Sequence, residues 1–513
     1  MILVALLAVA CAARPPTDGT AVAAPRAAVE PGRLTVLHTN DMHGHFLPEP
    51  ADWVEGRPPL GGAVRIEQEV RSIEAQRGED AVLLLDGGDL LTGTPLTDLE
   101  VDGSIGGAMI QLMEAVGYDA WVVGNHEFDK GLDNLAALTA ASDVPPLSAN
   151  LRQPDGVRPL LPRQVPSLVF EVNGVRVGVI GATTMGLKGL MSRSDWARLT
   201  LLDVEDAVAA EARRLDPDTD LLIALTHIGL DDDRRLASAV PSLDLIVGGH
   251  SHTRLPIAEE VAGVRIVQAG SYARSLGVVD LRVEDDRIAS FEYTLRDLDP
   301  AVAPVPPSRR LVELTEGYQR QIDSYYGQKV SNAPALLGRD YHHESALGRW
   351  ITDALRESAG ADVAFYNGGG LRADLPAGPV TKGTLYACFP FKNEVRTFEL
   401  TGEELTRIFL RNAIAENDEK RGFVSISGVR YVWRVRNGAP EVVTATIGGA
   451  PLDPARTYTA VTTSYIAEQW EKNLGVEPRN LQGTGRTDFD AAVEHAARGE
   501  VVAPADARAV RER

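Results

Sequence analysis

Cysteine is nearly absent from this chain. Two occur in 513 residues, Cys11 and Cys388, so no disulfide framework exists and stability must come from packing. Cys388 lies in the apolar stretch TLYACFPF, the setting of a small core residue. Positive charge is also in deficit: 51 Lys and Arg face 72 Asp and Glu, a net charge of −21. That balance excludes nucleic acid and anionic membrane surfaces as expected partners, and an anionic ligand would need local help from cations or clustered arginines. No internal repeat or long low-complexity tract is present. Histidine is scarce, at 10 residues.

The opening run, MILVALLAVACAARPP, is too short to span a bilayer and reads as a secretory h-region. Ala8-Val9-Ala10-Cys11 resembles a bacterial lipobox, which makes Cys11 the expected lipid-anchor site. No Lys or Arg precedes the run and Ala8 stands where leucine is usual, so a plain signal peptide stays the alternative. Export, to the periplasm or cell surface, is common to both readings.

Length and 44% hydrophobic content suit a globular protein of two or three domains. Residues 1–32 comprise the export segment and an Ala/Pro-rich tether. From 33 to 300, strand-like runs alternate with helical patterns at Gly62–Arg77 and Asp203–Leu215, and Asn173-Gly174 marks a hairpin. The expected core is sheet on sheet with helices outside. Residues 301–328 hold a Pro-rich break and a helical segment, SRRLVELTEGYQRQIDSYYG, read as a linker helix. A smaller α/β unit fills 329–513, with helices over Glu344–Ser358, Gly402–Asn412 and Asp488–Arg498 and strands at VAFYN, RTFEL and YTAVTT.

Five segments carry the chemistry: Asp41-Met42-His43, Gly88-Asp89, Gly124-Asn125-His126-Glu127, Thr226-His227 and Gly248-Gly249-His250-Ser251-His252. Each follows an apolar, strand-like run, so all are expected on one rim of a sheet, where open α/β folds hold ligands. These are the residue types of a two-metal hydrolase, in which paired cations clamp the attacking and leaving oxygens of an in-line displacement. Asp41 and His43, two apart, are expected to point the same way along a strand. Asp89 suits a bridging carboxylate, Asn125 supplies a neutral oxygen, and His227, His250 and His252 complete the set. Taken singly, each piece is equally a turn with a satisfied histidine; five in order are not.

The segments resemble the metallophosphoesterase signature, and the chain from about Leu34 to Val461 resembles the 5′-nucleotidase family, with His38-Thr39-Asn40-Asp41-Met42-His43-Gly44 and Gly124-Asn125-His126-Glu127-Phe128-Asp129 as its motifs. The resemblance implies a four-layer αββα catalytic sandwich, a linker helix and a smaller α/β substrate domain. It implies Asp41, His43, Asp89 and His252 on one divalent metal and Asp89, Asn125, His227 and His250 on the other. Zinc, manganese or cobalt each fit such donors. His126 becomes the catalytic histidine and Asp129 the carboxylate that orients it.

The segment ADVAFYNGGGLRAD runs a strand into three glycines and an arginine, a turn that lets backbone and guanidinium approach phosphate or ribose oxygens. By itself this is equally a solvated turn. The resemblance carries Asn367, Gly369 and Arg372 over as substrate contacts, and Phe391 of Phe389-Pro390-Phe391-Lys392-Asn393 as a stacking face for a nucleoside base. Two departures stand out. His343 occupies a position that is arginine in some relatives. A Gly-Gly-Asp-Gly-Phe segment is replaced by YIAEQWEKNLGVEPRNLQGTGRTDF, leaving Tyr465, Trp470 or Phe489 as the second aromatic. The implied activity is removal of phosphate from nucleoside 5′-phosphates by a metal-activated hydroxide. A UDP-sugar hydrolase, a cyclic-nucleotide phosphodiesterase, a sulfur-oxidation thiosulfohydrolase of the same architecture and an inert surface binding protein stay open as alternatives.

Overall fold

The strand-like runs divide their side chains between two cores. In the computed structural model, residues 31–50, 56, 58–415 and 422–512 are described; the export segment with Cys11 lies outside them. Along Arg33–Thr39, Leu34 and Val36 enter one buried cluster while Leu37 enters another. Val82–Asp86 repeats the division, with Leu83 and Leu85 on one side and Leu84 on the other. This period-two alternation, apolar on both faces, is that of strands covered on both sides.

Two six-stranded mixed sheets result. The first runs in the order Arg287–Asp297, Ser275–Glu284, Arg33–Thr39, Val82–Asp86, Ala120–Val122, Pro146–Leu147. The second runs Ser167–Val172, Val175–Thr183, Leu221–His227, Leu245–Val247, Val264–Val267, Glu259–Val261. Val177, Val179, Ile223, Leu225, Leu245 and Val247 face the first sheet, and Ile180, Leu222, Ala224 and Ile246 face the outer helices Val204–Leu215 and Leu230–Ala239. Helices Ala63–Arg77 and Gly107–Val116 cover the opposite side. The order is helix, sheet, sheet, helix, as expected. The hairpin closes at Asn173 and Gly174, with φ of 46° and 79°, as an Asn-Gly turn requires.

Within each sheet the inner strands are parallel, so their carboxyl ends share a rim. Residues 40–45, 87–91, 124–129, 227 and 248–252 lie there. One expectation fails at this point. The first strand ends at Thr39, and Asp41 and His43 follow in a loop with φ of 50° and 49°. Their side chains converge because of left-handed backbone, not because of strand alternation.

Helix Arg309–Tyr326 starts at Ser308, whose side chain accepts from Leu311 N. Its buried face, Leu311, Thr315, Tyr318, Ile322 and Tyr326, docks on helices Ala63–Arg77 and Gly107–Val116. The linker therefore belongs to the outer layer of the first domain as much as to the connection.

The second domain centres on a five-stranded sheet, ordered Val424–Ser427, Val363–Asn367, Thr457–Thr463, Glu394–Thr401, Arg479–Thr487. Helices Ala346–Ala359, Gly402–Ala415 and Asp488–Ala496 fall where helical spacing placed them. A four-stranded sheet was not anticipated. Its main hairpin, Val429–Arg436 with Ala439–Ile447, turns at Asn437-Gly438. Cys388 is fully buried and free.

Candidate active site

Backbone hydrogen bonds lace the rim loops together before any side chain is considered. Asp41 N donates to Gly88 O, His43 N to Asp89 O and Gly44 N to Leu90 O, at 2.8, 2.9 and 2.9 Å. The Glu127 carboxylate accepts from Leu90 N at 2.8 Å and Gly124 N at 2.7 Å, with Asp89 N and Leu91 N at 3.2 and 3.3 Å. This buried carboxylate fixes the loop that carries Asp89; the sequence nominated only its neighbours. Asn40 does similar work, donating to Asp41 Oδ2 at 2.6 Å and accepting from Ala269 N at 2.8 Å. A Cβ at Gly124 would stand 2.3 Å from Asp89 Oδ1, which explains why glycine precedes Asn125.

The nominated residues gather into overlapping groups. Donor atoms of Asp41, His43 and His252 lie within 4.8 Å of one another, as do those of Asp89, His227 and His250, and those of His43, Asp89 and His126. Asn125 Oδ1 is 3.3 Å from His227 Nε2. Asp41 and Asp89 are 0% and 2% exposed, so two carboxylates are held away from water.

Proton positions decide whether such a group fits cations. His43 Nδ1 lies 2.8 Å from Thr92 O, an oxygen that can only accept, so Nδ1 carries the proton in the neutral ring. Its Nε2 is then a bare lone pair, 3.1 Å from His252 Nε2 and 3.9 Å from both Asp41 and Asp89. His227 repeats the arrangement: Nδ1 faces Gly87 O at 2.7 Å, leaving Nε2 3.0 Å from Asp89 Oδ2. Lone pairs facing carboxylates repel unless positive charge stands between them. The histidine–carbonyl bonds are those that orient metal-bound imidazoles. The donor set fits two divalent cations.

Electrostatics agree. Burial disfavours charge on His227, but Asp89 outweighs burial and holds the imidazole up to about 10. His43 goes the other way, driven down to about 4 by burial. Positive charge is demanded beside Asp89.

His126 is distinct. Its Nδ1 donates to Asp129 Oδ2 at 2.6 Å, and Thr92 Oγ1 donates to the same oxygen at 2.7 Å. Burial opposes the charged ring, yet Asp129 and then Asp89 overcome it and hold His126 up to about 9. Its ring lies 5.1 Å from that of His43 and 6.3 Å from that of Phe391, nearly parallel to the latter.

A cavity of about 600 Å³ joins the two domains here. Asn125, His126 and Asp129 of the first domain line it together with Asn367, Gly369, Arg372 and Phe391 of the second. Arg372 Cζ lies 5.7 Å from the Phe391 ring centroid. Of the three aromatics nominated to face Phe391, only Tyr465 lines the cavity. Phe489 is 1% exposed in the core against Tyr326 and Tyr386, and Trp470 packs beside Arg193 away from the cavity wall. Tyr341 was missed; it lines the cavity, where a Cβ on Gly369 would meet its ring at 3.3 Å and one on Gly422 at 3.0 Å. No local pattern announces it, because three distant segments meet there. His343 pairs with Asp340 at 3.3 Å and is not among the residues that line the cavity.

A sheet-on-sheet sandwich with this histidine–carboxylate rim defines a metal-dependent phosphoesterase, and residues 34–254 match the calcineurin-like phosphoesterase family. Residues 329–473 match the 5′-nucleotidase C-terminal domain. The chain belongs to the 5′-nucleotidase family, whose two domains it carries in order. It is 28% identical over 508 residues to Protein UshA of Yersinia enterocolitica, covering 85% of each chain. It is 26% identical over 447 residues to the trifunctional nucleotide phosphoesterase protein YfkN of Bacillus subtilis, covering 79% of this chain and spanning 29% of that longer protein. The solved 5′-nucleotidase precursor from Thermus thermophilus superposes with a TM-score of 0.75 at 26% identity, over 93% of this chain and 99% of that one.

Proposed function

We propose that this phosphoesterase hydrolyses nucleoside 5′-phosphates to nucleoside and phosphate. The observation that carries the reading is the continuous cavity that runs from His126 and Asp129 in one domain to Asn367, Gly369, Arg372 and Phe391 in the other. The cavity brings the His126–Asp129 pair together with an arginine and an aromatic ring, the groups that a phosphoryl, a sugar and a base would each meet. Two of the relatives named above, the Bacillus subtilis and Thermus thermophilus proteins, bear nucleotide activities in their names, which supports the same class. The division of labour follows the boundaries 33–300, 301–328 and 329–513.

Asp41, His43, Asp89, Asn125, His227, His250 and His252 would hold two divalent cations, with Asp89 shared. Those cations, when bound, offset phosphoryl charge and activate a water. His126, kept protonated by Asp129, donates through Nε2 to a phosphoryl or leaving-group oxygen, while its Nδ1–H stays on the ring and donates to Asp129 throughout. Arg372 and Asn367 hold the sugar-phosphate, Gly369 lets it approach the backbone, and Phe391 offers a face to the base.

Hydrolysis of a panel of nucleoside monophosphates, a UDP-sugar, a cyclic nucleotide and a thiosulfate-conjugated peptide, followed as release of phosphate, UMP, nucleoside monophosphate and sulfate respectively and each with zinc, manganese or cobalt, tests the reading. Highest kcat/KM on 5′-monophosphates is expected; a preference for any other substrate refutes it. Export through the N-terminal segment belongs to the same proposal, with Cys11 the lipid-anchor site. Cys11→Ser should move the protein from the membrane to the soluble exported fraction; a soluble distribution in both forms would leave only secretion.

A further inference from the structure

Lys392, immediately after Phe391, adopts φ of 51°, a left-handed conformation costly for a side chain other than glycine, asparagine or aspartate. Something must hold it there. Its ammonium donates to Tyr326 Oη at 2.9 Å and pairs with Asp98 Oδ2 at 3.0 Å. The rings of Tyr326, Tyr386 and Phe489 surround it, with centroids 5.4, 5.5 and 5.2 Å away. Asp98 belongs to the first domain and is 7% exposed in its side chain. Its other oxygen, Oδ1, takes Lys130 Nζ at 2.6 Å, and Lys130 directly follows Asp129. A second contact crosses the same seam: Tyr386 Oη donates to Thr94 O at 3.1 Å.

Asp98 thus ties the loop bearing Phe391 to the loop bearing His126 and Asp129, through the lysine next to each. The two loops stand with the Phe391 and His126 rings 6.3 Å apart and 22° from parallel. We propose that the Lys392–Asp98–Lys130 triad is an interdomain clasp that sets the spacing between Phe391 and His126 across the cavity, with Lys392 and Asp98 as positioning residues. The selectivity part of this proposal rests on the nucleotide reading above; the clasp itself does not. Three rings flank the ammonium and its carboxylate partner is nearly buried, so the pair is partly shielded from water and the spacing is held without a covalent link.

The test uses Lys392→Met, which keeps the stem between the rings and removes the charge, and Asp98→Asn as an independent variant. Each is measured for kcat and KM on adenosine 5′-monophosphate and on p-nitrophenyl phosphate, for metal content, and for amide exchange by mass spectrometry. Expected is at least a tenfold fall in nucleotide kcat/KM and a fall several-fold smaller on the aryl phosphate. Exchange should accelerate together in residues 94–99 and 389–393, which lie in different domains. The double variant should be no worse than the worse single, since both break one interaction. Unchanged exchange at 94–99 or fully additive losses would each overturn the clasp, and equal losses on the two substrates would overturn its part in selectivity. Phe391→Ala is the control on the underlying reading. If it leaves the nucleotide-to-aryl ratio intact while Lys392→Met still loosens both segments, the clasp stands and the base contact falls.

Discussion

Replacing Asp129 by asparagine removes one charge from the site and almost no volume. The Asp129 carboxylate sits 2.6 Å from His126 Nδ1 and accepts from Thr92 as well. An asparagine oxygen can still accept both bonds, so the ring orientation and tautomer survive while the ionic term is lost. Two unit charges about 4 Å apart in a medium of effective dielectric near 20 interact by about 4 kcal/mol, or roughly 3 pKa units at 1.36 kcal/mol each. His126 is 22% exposed in its side chain, and solvent screening reduces the effect to about 1–2 units.

The sign follows from the direction of the shift. Asp129 and Asp89 hold His126 up to about 9, so the imidazolium persists through neutral pH and is lost as pH rises through the folded value. Removing Asp129 brings that loss to lower pH. Bound cations lower both proteins' values together and leave the difference. The assay is kcat against pH from 6 to 10 for both proteins, with metal content measured in parallel. The alkaline limb should move down by about 1–2 pH units, so that at pH 10, above both limbs, kcat should fall about 10- to 100-fold, within the range of general acid catalysis. An unmoved limb with kcat unchanged, or metal loss in the variant, would refute the assignment of His126 as an oriented proton donor.

Asp89→Ala should abolish metal binding and turnover together while the sheets stay folded; two metals per chain with near-normal turnover would show that Asp89 bridges nothing. Gly124→Ala should do the same less completely, because its new Cβ displaces the Asp89 carboxylate, and metal titration of the variant should show weakened affinity. His38 is buried with neither ring nitrogen hydrogen-bonded among the described residues, and burial drives it down to about 3. The unfolded chain takes up that proton near pH 6.5, so stability falls as pH drops below 6.5, by up to about 1.4 kcal/mol per unit. His38→Leu should lessen the loss between pH 7 and 5 by about 2 kcal/mol in urea melts; parallel curves for the two proteins would contradict this.

Much of the catalytic domain was legible because its signals are local. Alternating apolar positions mark the strands, Asn173-Gly174 marks its hairpin, and the spacing of Leu311, Tyr318, Ile322 and Tyr326 marks the linker helix. The four-stranded sheet escaped notice despite its own Asn437-Gly438 turn. Its longer strand, Ala439–Ile447, is largely half-buried or exposed, so the apolar contrast that announces a strand is weak. The cavity wall was harder. Tyr341, Gly422 and Tyr465 meet only through tertiary packing, and Phe489, aromatic in the right region, was claimed by the core instead. Glu127 was visible as part of a motif, but its four backbone donors were not.

The rim itself follows a rule that sequence spacing does not express. Asp41, His43, Asp89, His250 and His252 all have positive φ, between 49° and 76°. Each such residue costs about 1–2 kcal/mol relative to ordinary backbone, less for aspartate than for bulkier side chains. Five in one site constitute strain that ordinary loops do not keep. Here the loops lack freedom to relax, because 41, 43 and 44 are bonded to 88, 89 and 90, and Tyr272 N donates to Asp41 O at 2.8 Å. Beneath them Val36, Leu85, Val122, Leu225 and Val247 are fully buried between the sheets. Burying such side chains is worth about 1.5–3 kcal/mol apiece, so the sandwich supplies the stability that the rim spends. Seven donors are thereby aimed at one small volume before any cation arrives, and the ordering cost of assembling them falls on folding rather than on binding.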